Sequence, residues 1–248
     1  KHELRWYVRN VPSSAHFAPS TIARMLCVPL LFLCATAVAE VRTFVPATFG
    51  KYESKFVKSI RFPKGEEPVD LRLLCDATLH NDGRGRGVFC EGRETHPDFH
   101  KAITKHKARY LRVVVPRTDG RKQTVRFQFN VHFVRDASGE QITVQPNHRH
   151  NVDAFGEAYS SPQRYEGPYR ATTKCDLLFD VKIRGVVPAN GQGAKEVSVV
   201  EAEANPSCTE AIAEYFARSD YIPGFADGRP VEMVLIERFW REAPGAKR

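Results

Sequence analysis

The 248 residues contain no C-x-x-C pair, no G-x-S-x-G, no H-E-x-x-H and no phosphate-cradling glycine loop. These absences remove the close ligand spacing of zinc knuckles, the helical zinc-protease site, the nucleophile elbow of the serine hydrolases and the P-loop nucleotide enzymes. The stretch Gly83–Gly87 reads GRGRG, but it belongs to a hairpin tip and no helix follows it. Also missing is an apolar run of the roughly 20 residues that a helix needs to cross a bilayer. The run Leu26–Ala39 has 14 residues, one of them Pro29.

That short run is preceded by Arg24 and closed by the small-residue triplet Ala37-Val38-Ala39, the pattern of a secretory signal peptide. Cleavage is expected after Ala39, with an uncleaved anchor as the competing reading. Cys34 does not make a lipoprotein site, because the bulky Leu33 stands where a small residue is needed. The segment before Met25 has no periodic apolar pattern and reads as an extended leader or as translated sequence upstream of the start.

Removing the leader removes Cys27 and Cys34 and leaves Cys75, Cys90, Cys175 and Cys208. Paired cysteines in an exported chain predict disulfides. A two-residue hairpin at Asp82-Gly83 would bring position 75 opposite position 90, so Cys75–Cys90 and Cys175–Cys208 are the expected bridges. Closing a loop of about 15 residues contributes on the order of 3 kcal/mol by restricting the unfolded chain.

The four cysteines fall two to a copy, because the chain repeats itself. At an offset of 108, Asp119-Gly120-Arg121 falls on Asp227-Gly228-Arg229; at 109, Pro97-Asp98 falls on Pro206-Ser207, Ala102-Ile103 on Ala211-Ile212 and Cys90 on Val199. A one-residue indel between helix and turn reconciles the two offsets. The expected organisation is an upstream segment and signal peptide over 1–39, a first module over 40–140, a linker over 141–168 and a second module over 169–248.

Each copy reads strand, turn, strand, helix, turn, long strand. In the first these are Leu71–Leu79, Arg86–Glu91, a helix over Phe99–Arg109 and Thr124–Val134. In the last of these, Val125, Phe127, Phe129, Val131 and Phe133 alternate with polar residues, the period of a half-buried strand. In the second copy they are Leu177–Ile183, Glu196–Glu201, a helix over Cys208–Arg218 and Val231–Trp240, with Ser207 and Glu210 forming a capping box after Pro206. The predicted fold class is α+β: two tandem small domains, each an antiparallel sheet of about three strands packed on one helix.

In the closing strand Met233, Leu235 and Phe239 are expected to face inward. The other face carries Val234, Ile236, Arg238 and Trp240, more apolar than one solvated side requires. Something is expected to cover it: the other copy, a second chain or a partner strand.

Charge is unevenly divided. Residues 40–150 hold 21 Lys and Arg against 13 Asp and Glu, a net of +8; residues 151–248 hold 12 against 15, a net of −3. The first module therefore presents a basic surface that can lean on anionic lipid or an acidic partner. No nucleic-acid partner is expected, since basic residues are not interleaved with aromatics on one sheet face.

The strand-turn pattern with VSVVEAEANPSCTEAIAEYF and YIPGFADGRPVEMVLIERFW resembles the C-terminal domain of TonB, the energy transducer of Gram-negative bacteria, and related periplasmic domains. The resemblance rests on Ala211-Ile212 in the helix, Pro223-Gly224-Phe225, the turn Asp227–Val231 and the closing strand; the first copy is more diverged. It implies a periplasmic domain that binds an extended peptide of an outer-membrane or envelope protein by adding it to a sheet edge. Such transducers keep a membrane anchor and a long proline-rich spacer, whereas the 16 prolines here are scattered. A non-catalytic binding role therefore ranks above an energy transducer, which would require the apolar segment to remain as an anchor.

A secreted hydrolase or metal-binding protein is the third reading, and the histidines are its best support. His96 precedes Pro97, outside the helix, while His100 and His106 stand six apart and face different ways. Asn147-His148-Arg149-His150 is expected in a solvated linker. No convergent catalytic set, metal or cofactor is expected.

Overall fold

The computed structural model describes residues 42–105, 110–167, 174–176 and 178–241. The signal segment and its cleavage point lie outside the described residues. No helix among the described residues is long and apolar enough to cross a membrane.

The first half begins with β1 (Phe44–Val45), a 3-10 turn and α1 (Glu53–Ser59). β2 (Val69–Leu79), β3 (Gly85–Cys90) and α2 (Pro97–Thr104) follow. A hairpin of β4 (Arg117–Thr118) and β5 (Arg121–Lys122) leads into β6 (Val125–Asp136) and β7 (Gly139–Gln145). The main sheet is antiparallel, in the order β3-β2-β6-β7. On one face of β6, Val125, Phe127, Phe129, Val131 and Phe133 are all 0% exposed. α1 and α2 both cover this face: Phe56 packs its ring 5.9 Å from Phe129, and Phe99 lies 5.0 Å from Phe133. α2 starts two residues earlier than expected, because proline suits the first helical position.

The predicted linker is part of the fold, and residues 40–248 form one compact unit. β7 pairs with β6 over Asn130–Asp136. After it come α3 (Val152–Phe155), β8 (Tyr159–Ser160) and β9 (Gln163–Arg164). Asn147 and His148, expected in solvent, are 0% and 6% exposed. They lie on the second face of the first sheet, where Asn130 donates to the Asn147 carbonyl and side-chain oxygens at 3.0 Å and His148 Nε2 bonds the Cys75 carbonyl at 2.7 Å. The expectation that this face of β6 is solvated is corrected in the same way, Gln128 and Asn130 being 3% and 0% exposed. Alternating polarity marked a face that meets protein polar groups, which a period of two cannot distinguish from one that meets water.

The second half contains β10 (Phe179–Val187), β11 (Lys195–Glu203) and α4 (Pro206–Arg218). β12 (Tyr221–Ile222), β13 (Gly224–Ala226), β14 (Arg229–Val231) and β15 (Met233–Arg241) complete it. Its sheet is antiparallel, in the order β11-β10-β15, and its core gathers Ile183, Ile212, Phe216 and Leu235. The cap of α4 differs from expectation. Asn205 accepts from the Cys208 amide at 2.8 Å, while Ser207 Oγ donates to Asn205. With Pro206 as first helical residue, the capping position is the one just before it.

The two halves repeat in register. Cys75 opposes Phe129 across β2 and β6, and 108 residues later Ile183 opposes Glu237 across β10 and β15. The bridge Arg84–Arg112 recurs as Gln192–Asp220, again 108 on. Asp119 and Asp227 have φ of 49° and 50° at the tips of the two hairpins. The extra residue that raises the offset to 109 enters between Gln192 and Lys195, because Arg84 maps to Gln192 at 108 and Arg86 to Lys195 at 109; the register shift at Glu196 (φ 49°) has its counterpart in the first half at Gly87 (φ 59°). Cys75 and Cys90 are direct cross-strand partners joined at 2.01 Å, and Cys175 is joined to Cys208 at 2.02 Å.

Candidate functional site

β15 is the last strand of its sheet among the described residues, paired with β10 in regular register from Met233 to Arg241. Met233, Leu235 and Phe239 point inward, 2%, 2% and 8% exposed, with Glu237 among them. Val234, Ile236, Arg238 and Trp240 share the opposite face, each half-buried. The structure thus keeps the four predicted partner-binding residues together, and residues of the first half and of the connecting segment reach all four.

Asn151 lies against Val234 as a neighbouring strand would: its amide donates to the Val234 carbonyl at 2.9 Å and its side-chain oxygen accepts the Val234 N–H at 3.0 Å. Gln128, from β6, donates to the Ile236 carbonyl at 2.7 Å. The main-chain groups of Val234 and Ile236 that face away from β10 therefore already hold side-chain amides in place of a strand. Farther along, Arg238 forks onto Asp180, with Nε 2.8 and 2.9 Å from the two carboxylate oxygens. Phe89 of β3 stacks at a tilt on Trp240, 5.2 Å between centroids, and lies 5.6 Å from the Arg238 guanidinium.

A groove of about 240 Å³ opens at this end, lined by Phe89, Leu178, Phe179, Trp240 and the charged Asp180, Glu203, Arg238 and Arg241. Leu178 is 55% exposed. Four apolar and four charged side chains thus share the lining of the groove. Phe89, Leu178, Gln128 and Asn151 were not singled out from sequence. Gln128 and Asn151 act through tertiary placement alone, which no local pattern records.

Of the histidines on which the hydrolase or metal-binding reading rests, His106 lies outside the described residues. His148 and His150 stack edge-on at 5.9 Å, and although His150 keeps an exposed surface, desolvation of its ring, with the charges of His148 and Lys182 adding to it, lowers its pKa. Its ring is therefore neutral at physiological pH. Among the described residues no group of three His, Cys, Asp or Glu side chains is placed to hold a metal ion. Neither a protein-family model nor a curated protein nor a solved structure matches the chain.

Proposed function

We propose that this chain is an exported, non-catalytic binding protein of the periplasm that captures an extended peptide of an outer-membrane or envelope protein by strand addition, the role its resemblance to TonB C-terminal domains implies. The observation that carries this reading is a difference between the two repeated sheets. In the first, β7 covers the outer edge of β6 along Asn130–Asp136. At the offset of 108, Asn130–Phe133 corresponds to Arg238–Arg241, and the second sheet ends there, at β15, among the described residues. A partner strand would take beside β15 the place that β7 takes beside β6. The two disulfides fit an oxidising compartment.

The partner would run beside Arg238–Arg241 and set an apolar side chain against Leu178 and Phe89. Its binding is tested by Arg238→Pro, which removes an amide facing away from β10 and leaves the β10 ladder paired. Arg238→Ala serves as control for the lost Asp180 ion pair. With a photo-crosslinking residue at position 241, the wild type and Arg238→Ala should give the same crosslinked envelope protein, and Arg238→Pro should give at least tenfold less at unchanged circular dichroism. Equal crosslinking by Arg238→Pro would remove the edge from consideration.

A further inference from the structure

The helical layer of the first half carries a basic groove remote from β15. α1 is anchored by Phe56 and Ile60, 0% and 5% exposed, and so presents its other side in a fixed orientation. Lys55 and Lys58, three residues apart on α1, share that side, and Lys51 of the preceding 3-10 turn faces the same groove. With Arg61 they line a groove of about 620 Å³ whose other walls are Ser54, Ser59 and Tyr110, and no carboxylate among the described residues lines it. Glu53, the acid of this helix, lies outside the lining. None of the four cations takes part in an ion pair among the described residues.

The placement of this groove gives it a direction. α1 and α2 cover one face of the first sheet, through Phe56 and Phe99, while the second half meets the opposite face, through Gln128 and Ile236. The sequence charge follows the same division, +8 over residues 40–150 and −3 over residues 151–248. An anionic plane attracts the helical layer and repels the half behind it, so electrostatics alone orients the molecule. Among the described residues the large exposed apolar side chains, Val45, Leu178, Val199 and Val200, lie outside the groove. Contact there is therefore by charge, without insertion of side chains into hydrocarbon.

We propose that the α1 groove docks the protein on an anionic lipid bilayer, lipid phosphates lying among Lys51, Lys55, Lys58 and Arg61. Each basic residue near such a surface strengthens binding about fivefold, so removing three lysines weakens it about a hundredfold. Hydrated point charges in a shallow groove are screened within about 10 Å at 0.1 M salt, which makes the attachment reversible by salt.

The test uses residues 40–248, which form one compact unit, and sedimentation with vesicles of phosphatidylcholine alone or with 3:1 phosphatidylcholine to phosphatidylglycerol. The protein should bind the mixed vesicles only and be released by high salt. K51Q/K55Q/K58Q should lose about a hundredfold in affinity with its circular dichroism unchanged. K195Q/R218Q/R229Q, which removes the same charge from the other half, should bind as the wild type does. Equal loss in both triple variants would reduce the effect to net charge and overturn the site. So would binding to neutral vesicles, or amide shifts around α1 with inorganic phosphate in a protein that ignores mixed vesicles, which would mark a site for soluble anions.

Discussion

Arg164 and Glu237, each 3% exposed, form a two-pronged ion pair with both N···O distances at 2.8 Å. The Arg164 guanidinium also lies over the Tyr215 and Phe239 rings, at 4.9 and 5.1 Å, and donates to the Tyr215 hydroxyl at 2.6 Å. Arg126 of the first half approaches the same carboxylate at 3.7 Å. At the offset of 108, Glu237 stands where the first half has Phe129, so a core position has been given to a charge. Burial alone would lower the Arg164 pKa; the carboxylate of Glu237 outweighs it and holds the guanidinium pKa above its ordinary value. Breaking such a pair leaves an uncompensated buried ion, at a cost of about 3–5 kcal/mol, whereas replacing both partners by apolar residues is often neutral. Glu237→Gln should therefore lower the urea midpoint by that equivalent, and Arg164→Met with Glu237→Leu should restore most of it. Equal destabilisation by the double and single variants would show that the site depends on shape and not on charge. Nothing in the local pattern flags Arg164, since its partner is 73 residues away.

At the scale of elements, the strands and helices that carry a period or a terminal signal were legible, and those defined by tertiary contact were not. β2, β3, β6, β10 and β15 fall on predicted alternating runs with ends shifted by a few residues. Cys75 opposes Cys90 as expected, but not through a two-residue turn at Asp82-Gly83: Leu79 pairs with Gly85 and Thr78 with Arg86, one residue out of that register, and the shift between Asp76 and Thr78 restores it. β7, β8 and β9 were read as linker: GEQITVQ is short and mixed in polarity, and it becomes a strand because β6 offers it a ladder. The candidate edge was legible through its excess of apolar residues, but its partial covering by Asn151 and Gln128 was not. At α4 the capping box read at Ser207 lies two residues too late, because the cap is Asn205, the residue before the proline. Asn205→Ala should cost about 1 kcal/mol, and Ser207→Ala well under half of that, by urea denaturation. Comparable losses would return the cap to Ser207.

At the scale of the whole molecule, the three segments are interlaced. The Gln163 side chain exchanges two 2.9 Å hydrogen bonds with the backbone of Ala47, while its own backbone pairs with Ile222. Ile222, near the end of the chain, belongs to the core of the first half. Two modules on a flexible tether would unfold in two steps and be nicked between them. This arrangement should unfold in one step, with Trp240 fluorescence and far-ultraviolet circular dichroism giving coincident transitions. Trypsin should likewise spare Arg149 and Arg164 in the native protein. Early cleavage at either, or two separated transitions, would restore the tethered picture.

Ile222 in the first core also bears on how the protein is made. The first half cannot complete its core, nor cover Gln128, until more than 80 residues after β6 have been delivered. Loop closure over such separations is slow, and the incomplete half meanwhile exposes apolar surface and strand edges. A chain stopped before position 222 is therefore a substrate for proteases and chaperones, and the slow step of assembly is the return of the C-terminal strands to a sheet formed long before them.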